Sequence, residues 1–469
     1  MRKPKVCIIL EGSYPFITGG VSAWTHDLII NLPDIDFVLF TISPEEDMAL
    51  RYELPENVVE HSDIVLSKHY DSTSKPASKK KLMKAIKQLH AMFQSENPAD
   101  FKSIAKIIPE GFFMYDDAVK SDTGWELITE ANQKHNPSYP FTDYYWAWKS
   151  AHDMLFTILG AAAPEADIYH AISTGYAGII ASAAKVRKNK PFILTEHGLY
   201  HKEREMEIRK SNLIKGYQRD MWTRLYNAFS RICYSQADLI ISLFEENRRK
   251  QLELGAATGI TEVIPNGIDI PRFCIEREEK PGFHVGLVGR VVPIKDIKTY
   301  IATAKIVLER IPDAVFHCIG PTDEDTGYYR DCQKLVKSLK IEDRFIFTGR
   351  QNVLDYYKFL NVLLLTSVRE AQPLVILEGY CGGVPAVATA VGNIPEMLDY
   401  DDRFIAPSKD SVKLAECIQY IHDHPEEMTK INEANKQKAV TYYNKIDLHK
   451  RYKEIYYSYT PDTSRQEQN

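Results

Sequence analysis

Two glutamates frame the apolar segment EAQPLVILE, which follows the strand-like NVLLLTS. A carboxylate is costly to bury unless a polar group meets it, so Glu370 and Glu378 need partners. Pro373 suits the first turn of a helix that would carry Glu378 toward a cleft. There a carboxylate can accept hydrogen bonds from vicinal sugar hydroxyls, and the amides around Ala371 to Leu374 can meet a hydroxyl or phosphate. For either glutamate alone, an ordinary acidic helix terminus explains the residue equally well.

A pair of cations follows another apolar run in GLVGRVVPIKDIKTYI. Arg290 comes directly after the predicted strand, and Lys295 stands at the start of the next helix. A guanidinium fork and a flexible ammonium at one strand end suit a diphosphate, because both keep their charge as a leaving group gains its own. Taken alone, the pair would usually be two solvated surface cations.

Two further segments place polar or bare backbone at strand ends. Gly19 and Gly20 in SYPFITGGVSAW precede a predicted helix, where uncovered backbone amides could approach an anion. His197 in ILTEHG ends a predicted strand beside Gly198. A structural turn and a hydrogen-bonded core histidine are the plainer interpretations of these two segments.

The elements that must position these residues alternate between strands and helices. KVCIIL and DFVLFTI open one series, ADIYHAIST, PFILTEHG and ADLIISLF continue it, and a second series starts at HVGLVGR. Such alternation predicts an α/β fold of two doubly wound, Rossmann-like halves with parallel sheets. We expect domains at residues 1–272 and 283–440, a helical insertion at about 46–150 in the first, and a final helical segment at 441–469.

Composition narrows the class of protein. The 469 residues exceed one hydrophobic core, and the net charge of −6 gives no reason to expect a nucleic-acid partner. Seven scattered cysteines form no CxxC pair, which favours a reducing compartment over a disulfide framework or zinc site. No apolar run is long enough for a membrane span, so we expect a cytoplasmic protein, with docking on a membrane complex through partners left open.

Together, the four features resemble the retaining GT-B glycosyltransferases of family 4, whose E-x7-E element matches Glu370 and Glu378. The opening CIILEGSYPFITGGVSAWTHDLI, with TEHG and PNGID, is similar to the PelF branch, linked to Pel-type exopolysaccharide and so to biofilm. The resemblance covers most of both halves. It implies a cleft between two Rossmann-like domains and a C-terminal helix that crosses back onto the first domain.

The resemblance also implies a role for each candidate residue of a sugar-nucleotide site. Arg290 and Lys295 would hold the diphosphate, and Glu378 would bind the ribose. Glu370 with the backbone segment that contains Ala371, Pro373 and Leu374 would bind the donor sugar. Arg350 and Gln351 would bind the base of the nucleotide. His197 would lie beside the donor sugar near the acceptor, and Gly19 and Gly20 would close on the phosphates.

Other charged and aromatic clusters have plainer explanations. Two D-x-D pairs, Asp34 with Asp36 and Asp323 with Asp325, are expected to be solvated loop acids, and two cations on the diphosphate would require no metal. A run of lysines could touch an anionic membrane or a partner protein, although a solvated helix face is the safer interpretation; it comprises Lys79, Lys80, Lys81, Lys84 and Lys87. The aromatic stretch YYWAW at 144–148 could stack on a glycan but more simply packs a helical core.

The expected activity is a hexosyltransferase that uses a UDP-sugar, UDP-glucose before an N-acetylhexosamine donor, to extend an exopolysaccharide. Beyond the donor and a glycan acceptor, a membrane-bound synthase complex is a conceivable partner, and no cofactor is expected. Two alternatives remain: a GT-B epimerase or phosphorylase on the same donor, and a non-catalytic nucleotide-sugar sensor or scaffold of a synthase complex.

Overall fold

The computed structural model describes residues 2–92, 100–115, 119–135, 138, 140–211, 214 and 216–460. The chain divides into two compact units. The first comprises Met1–Ile264 with His449–Asn469, and the second comprises Pro265–Leu448. The main segment of the first unit therefore ends at Ile264, whereas the sequence predicted that the first domain ends at residue 272.

The first unit is built on a seven-stranded sheet in which every strand pair is parallel. The strand order is β3-β2-β1-β4-β5-β6-β7. Buried parallel strands read as continuous apolar runs, which is why KVCIIL and PFILTE predict strands. The strands are β1 Lys5–Glu11, β2 Asp36–Ser43, β3 Val58–Val65, β4 Ile168–Ala171, β5 Phe192–Glu196, β6 Leu239–Ser242 and β7 Thr261–Val263.

The described helices that belong to this part of the chain fall into three groups. Helix α1, Gly20–Ile30, follows β1. Four helices separate β3 from β4: α2 Lys79–Met92, α3 Phe101–Ile107, α4 Asp122–His135 and α5 Phe141–Gly160. The others are α6 Tyr176–Lys188, α7 Tyr200–Lys210, α8 Gly216–Gln236, α9 Glu245–Glu253 and a 3₁₀ turn at Thr258–Ile260.

The helical insertion is present, but its limits differ from the predicted 46–150. Residues Val58–Val65 inside that range form β3, which pairs with β2 at the edge of the sheet. The edge strand VVEHSDIV has mostly half-buried or exposed residues and therefore lacks the apolar run that marks the central strands. The helical part starts at Lys79 and extends to Gly160, with Tyr144 and Trp148 of the aromatic stretch in its core.

The second unit repeats the architecture with a six-stranded parallel sheet in the order β10-β9-β8-β11-β12-β13. These strands are β8 Phe283–Val288, β9 Ala314–Ile319, β10 Phe345–Gly349, β11 Val362–Leu365, β12 Ala386–Thr389 and β13 Ile405–Ala406. The helices are α10 Ile270–Phe273, α11 Ile297–Arg310, α12 Thr326–Ser338, α13 Val353–Tyr357, α14 Leu374–Cys381, α15 Ile394–Met397, α16 Ser411–Asp423 and α17 Pro425–Tyr442, with a 3₁₀ turn at Pro293–Lys295.

Each unit has its own hydrophobic core. The first core draws on β1, β2, β4 and β5 together with the helices of the insertion. The second draws on β8 to β13 and the helices around them. In both sheets the chain moves outward from a central strand, returns, and continues on the other side, which is the doubly wound order of a Rossmann fold. The predicted α/β class with two Rossmann-like domains is confirmed.

The last helix, α18, is Lys445–Tyr459, and its residues from His449 onward group with the first unit. The end of the predicted segment, 461–469, lies outside the described residues. Within the first unit, the hydroxyl of Tyr456 lies 2.7 Å from Nδ1 of His170 on β4. Nε2 of the same ring lies 2.8 Å from Oγ1 of Thr195 on β5. Among the described residues, no helix combines the length and hydropathy needed to span a membrane.

The fully buried His170 makes the stability of the first unit depend on pH. Burial, with a smaller effect from His197, lowers the pKa of His170 to about 3. The unfolded chain binds a proton near pH 6.5, so the contribution of neutral His170 is complete above that pH and is lost as the pH falls below it. We expect the free energy of unfolding from urea titrations to decrease by at most about 1.4 kcal/mol per pH unit from this group.

The variant His170→Gln should show a shallower loss of stability between pH 6.5 and pH 5 than the wild type. The exposed His69 supplies the control, His69→Gln, which should keep the wild-type pH dependence. Equal slopes for His170→Gln and the wild type would contradict the assignment.

Candidate functional site

The two loops at the switch point of the second sheet bring the main candidate residues together. The strand order reverses between β8 and β11, which are parallel neighbours in the sheet, and open α/β sheets bind ligands at the carboxyl ends of such strands. The loop after β8 contains Arg290 and Lys295, and the loop after β11 contains Glu370.

An ion pair joins these loops. Lys295 Nζ lies 2.5 Å from Glu370 Oε1, and Ser367 Oγ donates to the same oxygen over 2.7 Å. The side chains of Lys295 and Glu370 are only 20% and 14% exposed, so water screens the pair less than it screens a surface pair. The sequence analysis assigned the two residues to different parts of one ligand, whereas the structure shows that they contact each other directly.

Backbone contacts fix the Lys295 loop against the loop after β11. Thr366 Oγ1 donates to the carbonyl oxygens of Lys295 and Asp296, over 2.8 and 3.0 Å, and Val368 N donates to Ile294 O over 2.9 Å. Asp296 has the left-handed φ of 47° and caps α11 by accepting from the backbone amide of Thr299. The ammonium therefore projects from a loop that is held on both sides.

The end of β12 and the loop that follows it contact the backbone around Glu370. Thr389 Oγ1 donates to Ser367 O over 2.6 Å, and Asn393 N donates to Ala371 O over 2.9 Å. At Gly392, with φ of +57°, a Cβ atom would lie 1.9 Å from the carbonyl oxygen of Glu370. Only glycine fits there, so the backbone of Glu370 rests directly on this turn.

Glycines end three neighbouring strands at the same edge of the sheet. Gly289, Gly320 and Gly349 follow or close β8, β9 and β10. A Cβ on Gly320 would lie 2.1 Å from the carbonyl oxygen of Gly289, and one on Gly289 would lie 3.4 Å from Cε of Lys295. Of these three glycines, Gly320 is packed too closely against the neighbouring strand for a side chain, and Lys295 lies over the bare backbone of Gly289.

Arg290 has a partner that the sequence analysis missed. Its Nη1 lies 2.7 and 2.9 Å from the two carboxylate oxygens of Glu324, on the loop after β9. Both side chains are about half exposed, at 53% and 50%. Glu324 lies between the two aspartates of a D-x-D pair, and a carboxylate five residues past the end of β9 was the signal available.

Glu378 lies in α14 and is largely buried. Tyr357, a buried residue of α13, donates its hydroxyl to Glu378 Oε2 over 3.0 Å. Burial raises the pKa of Glu378, against the opposing effects of the Tyr357 hydrogen bond and the charge of Arg272. Sequence reasoning placed Glu378 within the helix correctly but gave no indication of Tyr357.

The remaining candidates of this unit are less directly involved. Arg350 and Gln351 are exposed after β10, and Gln351 Nε2 donates to Thr348 O over 3.2 Å. Pro373 occupies the cap position before α14, and the helix begins at Leu374 rather than at the proline. Ala371 contributes its carbonyl to the turn at Asn393, as described above.

Another missed residue lies inside the E-x7-E element. Gln372 is buried, and its Oε1 accepts from the backbone amide of Asn266, in the segment PNGID. Its Nε2 is buried, and no described residue hydrogen-bonds it. An amide donor next to Glu370 is therefore left for another group.

In the first unit, Gly19 caps α1 and Gly20 is its first residue. The φ of Gly19 is 178°, which any residue can adopt, and a Cβ on either glycine would meet nothing within 4 Å. Nothing in the described chain therefore requires glycine at these positions. Their exposed backbone leaves room for a ligand.

His197 directly follows β5, where its ring packs edge-on against Trp24 of α1 at a centroid distance of 4.5 Å. Burial lowers the pKa of His197 to about 4, so the imidazole is neutral at pH 7. Its Nε2 is buried, and no described residue hydrogen-bonds it. Trp24 was not singled out, although it lies in the same glycine segment.

The acidic D-x-D pairs have structural partners. Asp325 caps α12 by accepting from the backbone amide of Tyr328 over 2.9 Å. Asp34 lies 2.5 Å from Lys453 Nζ, and this hydrogen bond, followed by the lysine's charge, lowers its pKa. Among the described residues, no cluster of three histidine, cysteine or acidic side chains is arranged to hold a metal.

Two family models match the chain. Residues 4–259 match the model described as "Domain of unknown function (DUF3492)", which covers more than half of the sequence. Residues 282–424 match the model described as "Glycosyl transferases group 1".

Curated relatives match mainly in part. The N-acetyl-alpha-D-glucosaminyl L-malate synthase of Bacillus anthracis is 31% identical over 194 residues, 40% of this chain and 48% of that protein. A D-inositol 3-phosphate glycosyltransferase of Nocardiopsis dassonvillei is 26% identical over 298 residues, 57% of this chain and 66% of that protein. The chain thus spans about half to two thirds of the length of these relatives.

Solved structures match the whole fold. Anabaena HepE in complex with UDP aligns with a TM-score of 0.61 at 15% identity, over 97% of this chain and 100% of that chain. HepE has also been solved with UDP-glucose. Sucrose-phosphate synthase of Thermosynechococcus elongatus aligns with a TM-score of 0.59 at 15% identity, over 97% and 99%. The chain has the GT-B fold of these neighbours and belongs to the DUF3492 family, and its residues 282–424 are similar to the group 1 glycosyl transferases.

Proposed function

We propose that the chain is a retaining hexosyltransferase of the PelF-like branch, which transfers a sugar from a UDP-sugar to a growing exopolysaccharide. The observation that carries the proposal is the Lys295–Glu370 pair at the switch point of the second sheet. This position is where open α/β sheets bind nucleotides, and the pair offers a cation and a carboxylate within one ligand's reach.

In the proposed mechanism, the cations stabilise the leaving diphosphate. As the bond from the anomeric carbon to the diphosphate breaks, negative charge grows on the phosphate oxygens. Lys295, held by its loop, and Arg290 would stabilise that charge, and such preorganised stabilisation is usually among the largest catalytic effects. Because these two groups can neutralise the diphosphate, the proposal includes no metal and no cofactor.

The carboxylates would bind hydroxyl groups. Glu370 shares its Oε1 between Lys295 and Ser367, and with the Ala371–Leu374 segment it would orient the donor sugar. Glu378 is held by Tyr357 and would bind the ribose. A carboxylate can accept several hydrogen bonds at once, so neither existing contact prevents these. Arg350 and Gln351 would meet the base.

The first unit would contribute His197 and the Gly19–Gly20 turn. The imidazole of His197 is neutral, and no described residue hydrogen-bonds its Nε2. This atom can therefore donate one hydrogen bond to a sugar hydroxyl or accept one from it. The exposed glycine backbone would approach the phosphates.

UDP-glucose is the proposed donor. Support comes from the GT-B neighbour HepE, which was solved with UDP and with UDP-glucose. An N-acetylglucosamine donor is second, since one relative is a glucosaminyl malate synthase. A glycan acceptor, cytoplasmic location and contact with a membrane-bound synthase complex complete the proposal.

A thermal-shift panel of UDP-, ADP-, GDP- and dTDP-sugars tests the donor class, because a ligand that binds only the folded state raises the melting temperature. Turnover is then followed as UDP release with and without candidate glycans. Absence of any shift at millimolar concentrations would overturn the proposal. Binding without turnover would favour a sensor, and a new sugar formed without acceptor would favour an epimerase. A requirement for inorganic phosphate would favour a phosphorylase.

Replacing Lys295 by glutamine should reduce kcat/KM for sugar transfer by about 10²- to 10³-fold, the scale of one lost oxyanion donor. Glutamine removes the charge but can still donate a hydrogen bond to Glu370, which limits the loss of stability, and the melting temperature of the variant shows whether it is folded at the assay temperature. Steady-state UDP release measures the effect. Lys305→Gln on α11, which removes an equal charge from an exposed ion pair, is the control. Wild-type turnover in Lys295→Gln would refute the assigned site.

Replacing Glu324 by glutamine should tighten UDP binding up to about fivefold. In the ligand-free chain the carboxylate holds Arg290 in an exposed pair, and breaking such a pair costs about 0.2–1 kcal/mol. Isothermal titration with UDP measures the change, which should shrink at high salt. Asp323→Asn removes the same charge from the same loop and should have a smaller effect. Weaker binding by Glu324→Gln would mean that Glu324 serves the ligand rather than competing with it.

A further inference from the structure

Helix α2 presents a face of lysines to solvent. Its apolar residues Leu82, Ala85, Ile86 and Leu89 are buried in the core of the first unit. The opposite side carries the lysine face, which we define as the exposed residues Lys79, Lys80, Lys81, Lys84 and Lys87. No aspartate or glutamate occurs between Lys79 and Met92.

Other solvent-facing helices of this chain balance their charges. In α9, Arg248 pairs with Glu245 and Arg249 pairs with Glu246. In α7, Arg209 pairs with Glu205 one turn away. In these two helices the exposed basic residues are neutralised by acids three or four positions away. Within the described part of the chain, no member of the lysine face makes an ion pair.

The charge of the lysine face is also misplaced for helix stability. Three lysines occupy the first turn of α2, which contains no acidic residue. The helix macrodipole is positive at this end, and like charges three or four positions apart repel each other. Both effects oppose the helix, and an external anionic surface would relieve both.

We propose that the lysine face docks the first unit on an anionic lipid bilayer. All five cations are lysines, which act as point charges and do not need the planar partners that suit arginine. Protein interfaces are depleted in lysine, and single-stranded nucleic acids require aromatic stacking that α2 does not provide. Clusters of four to eight basic residues on an amphipathic helix are typical of binding to anionic headgroups.

The contact is peripheral and electrostatic. The apolar side of α2 is occupied by the protein core, so the helix has no free apolar face to insert among acyl chains. Salt screens charges beyond about 8 Å at physiological ionic strength, so the net charge of −6 of the whole chain does not prevent local attraction. Docking is therefore fully reversible by salt. It is independent of the proposed sugar transfer.

Sedimentation with vesicles tests the proposal on the full-length chain. Vesicles of phosphatidylglycerol and phosphatidylcholine should pellet the protein at 50 mM NaCl and release it at 500 mM, whereas pure phosphatidylcholine should not pellet it. Each lysine near an anionic surface contributes about fivefold to binding, so Lys80→Gln, Lys84→Gln and Lys87→Gln together should lower the binding constant about 10²-fold. The matched triple variant of exposed Lys334, Lys337 and Lys430 should bind like the wild type.

The other outcomes overturn the proposal. No preference for anionic vesicles at low salt would show that the lysine face does not bind membranes. Equal losses in the two triple variants would show that total charge, not α2, determines binding. Polyuridylate, polyglutamate and free phosphatidylglycerol vesicles are then compared as competitors that displace the bound protein. If polyuridylate or polyglutamate displaces it at a lower concentration of negative charge than the free vesicles do, the preferred partner is a nucleic acid or an acidic protein. Circular dichroism of each variant checks that α2 is retained.

Discussion

The half-buried ion pair between Lys295 and Glu370 is the contact on which the arrangement of the second unit's loops depends. Removing two charges from water is costly, and the attraction offsets that cost only where geometry and further hydrogen bonds are good. Here Ser367 donates to the shared carboxylate oxygen, Thr366 holds the lysine loop, and the turn at Gly392 supports the glutamate backbone. The ends of three strands thus hold a cation and an anion in place at the point where the strand order of the sheet reverses.

Lys295 and Arg290 differ in how much of each side chain is exposed, and this difference suggests different roles in binding an anion. Lys295 is enclosed and fixed by its surroundings, whereas the side chain of Arg290 is about half exposed and pairs with Glu324. A fixed charge is preorganised and loses little entropy when a phosphate arrives. An exposed charge can exchange one carboxylate partner for another anion at small cost, since exposed pairs are weak.

The sequence predicts most of the fold because central parallel strands, such as Val6–Leu10 and Val362–Leu365, are unbroken apolar runs. It does not reveal β3, whose residues face solvent at the sheet edge. It identifies Lys295 and Glu370 by residue type and position, but not their contact, because strand order brings together residues 75 positions apart. Tyr357 and Trp24 were missed for the same reason: their partners lie on other elements, and nothing local marks them. Glu324 was missed although its position after the end of β9 was a local signal.

The hydrogen bonds of His170 have a consequence for biosynthesis. This residue is fixed in the middle of the first sheet by Tyr456, and the neighbouring Thr195 lies 3.3 Å from the hydroxyl of Tyr452. Both tyrosines belong to the last helix, which leaves the ribosome after everything else in the two units. The first unit is therefore completed only after the whole of the second unit has been synthesised, and until then its central strands lack these two hydrogen-bonding partners.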